Sequence, residues 1–311
     1  MPAPNKAHMP DFVTSTSDGH VRSIPFLIAA IALTCADGSS AGSFPSDFQE
    51  AVRLYHTPGK AADAEAAFLE LAARKIRHSR GTDAALEKAS LCALRRKGFE
   101  EAEQRADRIQ EESLRTLCRM RIWEAQRRWA DIVDGLGKQN IETWPDRLIY
   151  DAAMRRGKAY AIQRNAAAEK DFQLALAYTI DARELAFANL ALGNFYRDQA
   201  QDEDKAFAAY RKITESSVRG AIKYEGVIAY AMLLAARDKG REALEQLDEL
   251  KVETIPHPDW RCRIHQAYGD VHAALNRPVD AVAAYRKAIA VPGASDYLVR
   301  AIEKKTAEMA P

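Results

Sequence analysis

The string Ala-Ala-Tyr-Arg-Lys occurs twice in this chain, at 208–212 and at 283–287, 75 residues apart. One weaker copy between them gives a period near 37, and residues 241–250 supply it, because Ala243, Leu247 and Leu250 repeat a small, large, apolar spacing. The flanking sets are Ala206, Tyr210, Ile213 and Ala281, Tyr285, Ala288. Upstream the pattern recurs at Ala168, Phe172, Ala175, more weakly at Ile132 and Leu136, and again at Ala102, Ala106, Ile109 and Ala64, Phe68, Leu71. Seven anchors result, at 64, 102, 132, 168, 206, 243 and 281, with spacings of 38, 30, 36, 38, 37 and 38. A self-similar period of this length points to a stacked repeat of supersecondary units.

Each anchor set lies at i, i+4, i+7, which is one face of an α-helix. About a dozen residues upstream of each lies a second apolar segment. Leu190, Leu192-Gly193 and Phe195-Tyr196 precede Ala206, and Ile264 and Ala267-Tyr268-Gly269 precede Ala281. The unit is therefore a pair of helices, A then B, with Gly or Ala where the two touch. Composition agrees: 58 residues are Ala against 15 Gly and 12 Pro, and Ala is both the best helix former and small enough for close crossings.

These residues resemble the tetratricopeptide repeat family. Its Leu-Gly, later Tyr, then Ala, aromatic, Ala and Pro are matched by Leu192-Gly193 and Tyr196, with Tyr210 after a one-residue slip. The last repeat matches through Gly269, Ala281, Tyr285, Ala288 and Pro292. The resemblance covers residues 44–293 and implies an all-α, right-handed α-solenoid of about seven helix–turn–helix repeats. The unit around Trp123–Gly137 departs from the pattern, being short and lacking a small anchor. Residues 294–311 read as a C-terminal cap helix, amphipathic from Ser295 to Met309, because a solenoid end needs one polar face.

In such arrays the A helices line a concave groove that binds an extended or helical segment of another protein. Projecting the family's groove positions onto this chain gives Arg53, Arg121, Tyr160, Asn194, Arg197 and Asp270. Only Asn194 matches the Lys/Asn/Arg set with which chaperone-binding members grip a C-terminal carboxylate, which argues against a chaperone-tail adaptor.

The N-terminal residues have a different character. Residues 1–23 hold three Pro and scattered small polar residues and read as disordered. In 24–43 an apolar run, Ile24–Ala36, precedes Asp37-Gly-Ser-Ser-Ala-Gly-Ser43. The run has the length of a signal h-region and falls short of the roughly 20 residues that span a bilayer. Three readings stay open: a cleaved export signal, an uncleaved membrane anchor, or an ordinary apolar helix. The first two imply a periplasmic or envelope-associated protein with possible membrane attachment here, the third a cytoplasmic one.

Signatures of catalysis are sparse. There is no Gly-x-Gly-x-x-Gly or phosphate-cradling loop. Asp202-Glu203-Asp204 lacks the Gly and distal Glu of a calcium loop and reads as a solvated turn. Cys262, His265 and His272 share a helical face but span about 15 Å, too long for one ion. Cys92 and Cys118, on A helices of adjacent repeats, read as buried free thiols or, in an exported chain, as a disulfide. The sequence thus predicts a non-enzymatic chain without cofactor or metal, a protein-binding scaffold or an accessory subunit of an envelope or membrane-associated complex.

Charge offers a further alternative. The chain carries 45 Lys+Arg and 44 Asp+Glu, yet residues 70–165 hold 21 against 15 and residues 166–311 hold 20 against 22. Arg95, Arg96, Lys97, Arg115, Arg119, Arg121, Arg127 and Arg128 concentrate the excess. They read as solvated helix faces with i, i+4 partners, as a groove for an acidic protein segment, or as a site for RNA or another polyanion. Overall neutrality weighs against nucleic acid.

Overall fold

A computed structural model describes residues 44–74, 79–136 and 139–309. Among them are fifteen α-helices and no strand. The helices are α1 (Phe44–His56), α2 (Ala61–Ala73), α3 (Ser79–Arg95), α4 (Phe99–Asp107), α5 (Glu112–Ala125), α6 (Trp129–Leu136), α7 (Asp146–Ile162) and α8 (Ala167–Ala177). There follow α9 (Ala182–Phe195), α10 (Glu203–Thr214), α11 (Ala221–Ala236), α12 (Gly240–Asp248), α13 (Pro258–Ala274), α14 (Pro278–Ile289) and α15 (Asp296–Met309). The fold is an all-α repeat of seven A/B pairs followed by one further helix. The apolar run Ile24–Ala36 lies outside the described residues, as does everything else before Phe44.

Every anchor falls on a B helix. Ala64, Ala102, Ile132, Ala168, Ala206, Ala243 and Ala281 all have zero exposure, as a residue at the crossing of two helices must. The turns into the B helices share one backbone device. Gly59 (φ 77°), Lys97 (φ 60°), Arg127 (φ 58°), Arg164 (φ 56°), Gln201 (φ 53°), Asp238 (φ 60°) and Asn276 (φ 55°) are all left-handed. Each stands five residues before its anchor, or four before Ala168. A left-handed residue ends a helix by turning its last carbonyls back to the chain. Here it reverses the A helix so that the B helix can pack antiparallel against it.

Glycine sets the closeness of the A/B crossing. A Cβ on Gly193 would lie 2.4 Å from the Tyr210 ring and one on Gly269 2.3 Å from the Tyr285 ring. In each pair the Tyr hydroxyl donates to the residue after the glycine, Asn194 Oδ1 or Asp270 Oδ1, at 2.7 Å. Gly157 faces the Phe172 ring in the same way, at 2.8 Å. Near α6 the roles are exchanged: a Cβ on Gly135 of the B helix would lie 3.1 Å from the Trp123 ring. The glycine that lets an aromatic approach has moved to the helix whose anchor is the bulky Ile132.

The one-residue slip between Gly193 and Tyr210 also has a physical form. Tyr196–Ala200 is a single π-helical turn closing on Gln201. A π turn holds one more residue than an α turn, so the extra residue is absorbed without displacing Tyr210.

By compactness the chain forms two units, ending and beginning at Ile122 and Trp123. In the first, Asp83 near the start of α3 accepts the backbone N–H groups of Gln110 and Glu111, both at 2.9 Å, just before α5. In the second, Asp259 of α13 accepts from the Ser295 N–H at 2.7 Å, just before α15. A carboxylate beside orphan N–H groups at a helix start satisfies them and complements the helix dipole. So α15 is attached as a following A helix is. It buries Leu298 and Ile302 with Cys262, Ala281, Tyr285 and Ala288, and its outer positions are mainly charged.

Candidate partner-binding surface

The A helices of residues 123–311 stack in order, α11 against both α9 and α13. Their side chains form one face. Four of the expected site residues lie there, each already engaged within the fold. Tyr160 is half-buried at the edge of the apolar core around Phe172 and Tyr196. Asn194 accepts the Tyr210 hydroxyl, and Asp270 accepts both the Tyr285 hydroxyl and Lys305 Nζ of α15, the latter at 2.8 Å. Arg197, carried on the π turn, pairs with neighbouring Asp198 at 2.6 Å and stands 6.0 Å from the Tyr210 ring centre.

The other two lie in the first unit. Arg53 is exposed and paired with Glu50 one turn earlier on α1 at 2.5 Å. Arg121 is buried, its Nη1 2.7 Å from Oε1 of buried Glu87. A guanidinium so placed holds α5 to α3 and is not offered to a partner.

Glu225 and Arg263 are the charged residues of this face that sequence reasoning missed. Glu225 of α11 is half-buried and makes no hydrogen bond or ion pair among the described residues. Burial pushes its carboxyl above the ordinary value, against the pull of the Arg263 and Arg197 guanidiniums. Arg263 of α13 likewise has no carboxylate within ion-pair distance among the described residues. Its guanidinium instead lies 5.3 Å from the Trp260 ring centre, and Trp260 in turn packs on Tyr224 at 5.6 Å. The detectable signal was positional. Glu225 and Arg263 both stand eighteen residues before their anchors, Ala243 and Ala281.

Most of the basic stretch is exposed but engaged by partners within the chain. Arg96 pairs with buried Glu65, Arg119 with Asp107 at 2.8 Å, and Arg128 with Asp131 at 2.7 Å. Arg95 donates to the Tyr55 carbonyl at 2.6 Å and stacks 3.6 Å over its ring, and Arg115 donates to the Ile109 carbonyl at 2.8 Å. Asp202 caps α10 by accepting from the Lys205 N–H at 3.0 Å, as a turn residue does.

No group of three or more potential metal ligands gathers among the described residues. Cys262 is buried, and burial raises its thiol. His265 is pulled down by burial and lies 3.8 Å from Glu253. The Cys92 thiol is pushed up to about 12, chiefly by burial and then by Glu65, which makes it inert as a nucleophile. No helix among the described residues is long and apolar enough to cross a membrane.

With glycine–aromatic crossings, paired antiparallel helices and A-on-A stacking established, the fold is tetratricopeptide-like. No family model matches the sequence, and no curated protein does. Among solved structures, the chain is similar to a tetratricopeptide repeat protein from Parabacteroides merdae, at 17% identity and a TM-score of 0.48. That match covers 84% of this chain and 99% of the other. It is also similar to the C-terminal part of a tetratricopeptide repeat-containing protein from Cytophaga hutchinsonii, at 14% identity and 0.49, covering 81% and 98%.

Proposed function

We propose that the chain is a non-catalytic scaffold that binds a segment of another protein along the A-helix face of residues 123–311. The observation that supports this best is Glu225 beside Arg263: charged, partly desolvated, on adjacent A helices, and without hydrogen-bonded counterparts among the described residues. Leaving such charges without close partners costs stability, and a partner segment would offset that cost by supplying counter-charges. Arg197, Asn194 and Tyr160 extend the surface, and Arg53 marks a separate candidate position on the first unit.

The test is a photo-crosslinking amino acid at Met232, on α11, in the native cell. A discrete adduct is expected, and reversal of both charges, Glu225→Arg with Arg263→Glu, should abolish it at unchanged melting temperature. An adduct that survives the reversal would remove these residues from the surface.

Binding of RNA or another polyanion is the second reading, motivated by the basic excess over residues 70–165. The ion pairs of Arg96, Arg119, Arg121 and Arg128 count against it. It requires an affinity that falls steeply with salt, so absence of binding at low ionic strength eliminates it. Export, with service in an envelope or membrane-associated complex, is a proposal resting on Ile24–Ala36. Sequencing the N-terminus of the mature protein tests it.

A further inference from the structure

The end of α5, the turn into α6 and the middle of α7 bring a cluster of cations around one carboxylate. Glu124 receives Arg155 Nη1 at one oxygen and Lys158 Nζ at the other, the latter at 2.8 Å. Arg155 also holds Asp151, at 2.9 Å. Arg127, the left-handed residue of the turn, is exposed and stands within electrostatic reach of Lys158. The Trp129 ring forms an apolar wall 5.2 Å from the amine.

We propose that Lys158 is an acylation site served by acyl donors that are themselves anionic, such as acyl phosphates. Arg127 and Arg155 attract the donor's phosphate, Trp129 walls off water on one side, and Glu124 stands ready to take a proton. In the reaction the neutral amine attacks the acyl carbonyl carbon and an N–C bond forms. The C–O bond to phosphate breaks, phosphate leaves with that bonding pair, and the proton shed by nitrogen passes to Glu124 Oε1. The product amide is uncharged, so acylation removes one cation from an A-helix face and ends the Lys158–Glu124 ion pair.

Electrostatics supports the same residue. Burial first, then the positive charges of Arg155 and Arg127, pushes the Lys158 amine down to about 8. A lysine desolvated beside other cations is activated as a nucleophile. About a tenth of such an amine is neutral at pH 7, against less than about a thousandth for an ordinary lysine.

The experiment treats the full chain briefly with isotope-labelled acetyl phosphate or with p-nitrophenyl acetate, whose leaving group is not a phosphate, and maps the labelled lysines by mass spectrometry. Lys158 should be labelled at least tenfold faster than the median lysine. Arg127→Asn, which tolerates the left-handed turn, should slow labelling by acetyl phosphate several-fold while leaving labelling by the ester unchanged. Labelling of Lys158 no faster than the median with either donor overturns the site. An equal effect of Arg127→Asn on both donors, or fast labelling by the ester alone, overturns the assignment to anionic donors. These readouts involve no protein partner, so they stand or fall separately from the scaffold reading.

Discussion

The Tyr210 hydroxyl donates to Asn194 Oδ1 at 2.7 Å across sixteen residues of chain, while its ring lies against Gly193, the residue immediately before that acceptor. One side chain therefore reads two adjacent positions of the A helix, by shape at the glycine and by polarity at the asparagine. Tyr285 does the same to Gly269 and Asp270. Burial holds both phenols above their ordinary range, so they are protonated donors at neutral pH. Gly193→Ala or Gly269→Ala should destabilise the chain by about 1–3 kcal/mol, since the added carbon overpacks a ring that has little room to move. Tyr210→Phe, which keeps the ring and leaves Asn194 without its donor, should cost about 1 kcal/mol. Urea unfolding measures all three, and an unchanged midpoint for Gly193→Ala would show that the crossing is looser than described.

The left-handed turns make the opposite kind of prediction. Lys97 holds φ 60° with no glycine to ease it, and a side chain in that conformation costs roughly 1–2 kcal/mol. Lys97→Gly should therefore raise stability by about 0.5–1 kcal/mol, less than the full strain because glycine loses more backbone entropy on folding. Thermal unfolding of the variant should show a higher midpoint; a lower one would mean that the Lys97 side chain makes contributions beyond its backbone angle.

Arg121 separates a structural role from a binding role. Removing one partner of a buried ion pair leaves the other charge stranded, at about 3–5 kcal/mol. Arg121→Met should thus strongly destabilise the first unit through Glu87. The double variant with Glu87→Leu should recover much of the loss, and denaturant melts of the single and double variants give the coupling. A double-variant loss equal to the sum of the Arg121→Met and Glu87→Leu losses would mean that the two side chains act independently.

For Glu225 the sign of the pH dependence follows from its raised carboxyl. A group whose folded pKa lies above its unfolded one binds more protons when folded, so stability falls as pH rises through that interval. The ordinary value is 4.5; the loss begins there and is complete above the folded value. Glu225→Gln should be more stable than the parent at pH 7, with the difference vanishing below about pH 4. Melting temperatures of the two proteins across that range decide it, and a constant difference would place the effect outside titration.

Much of the fold was legible because repetition amplifies a weak signal. One small, large, apolar triplet proves little, whereas seven at a near-constant period locate every B helix. The turns were not legible, since their left-handed positions hold Lys, Arg, Arg, Gln, Asp and Asn after a single Gly59. The slip before Tyr210 could be counted in the sequence, but a π turn is only one of several ways to absorb a residue. For the site, projection onto helix positions located residues without their partners. It could not distinguish Arg121, engaged by Glu87 from thirty-four residues upstream, from Arg263, which feels Glu225 without an ion-pair contact. Ion pairing between helices is decided by tertiary packing, and no periodicity in one strand of text encodes it.

The constant offset from left-handed residue to anchor says where this chain can change length. Between Ala102 and Ile132 the interval shrinks to 30 residues, yet Arg127 still stands five before Ile132, as Asp238 does before Ala243. The missing residues come out of the connection from B to the next A and out of the helices on either side of it. The hairpin behaves as an indivisible word and the B-to-A link as the space between words, so insertions, tags or cuts at 215–220 should leave each word readable.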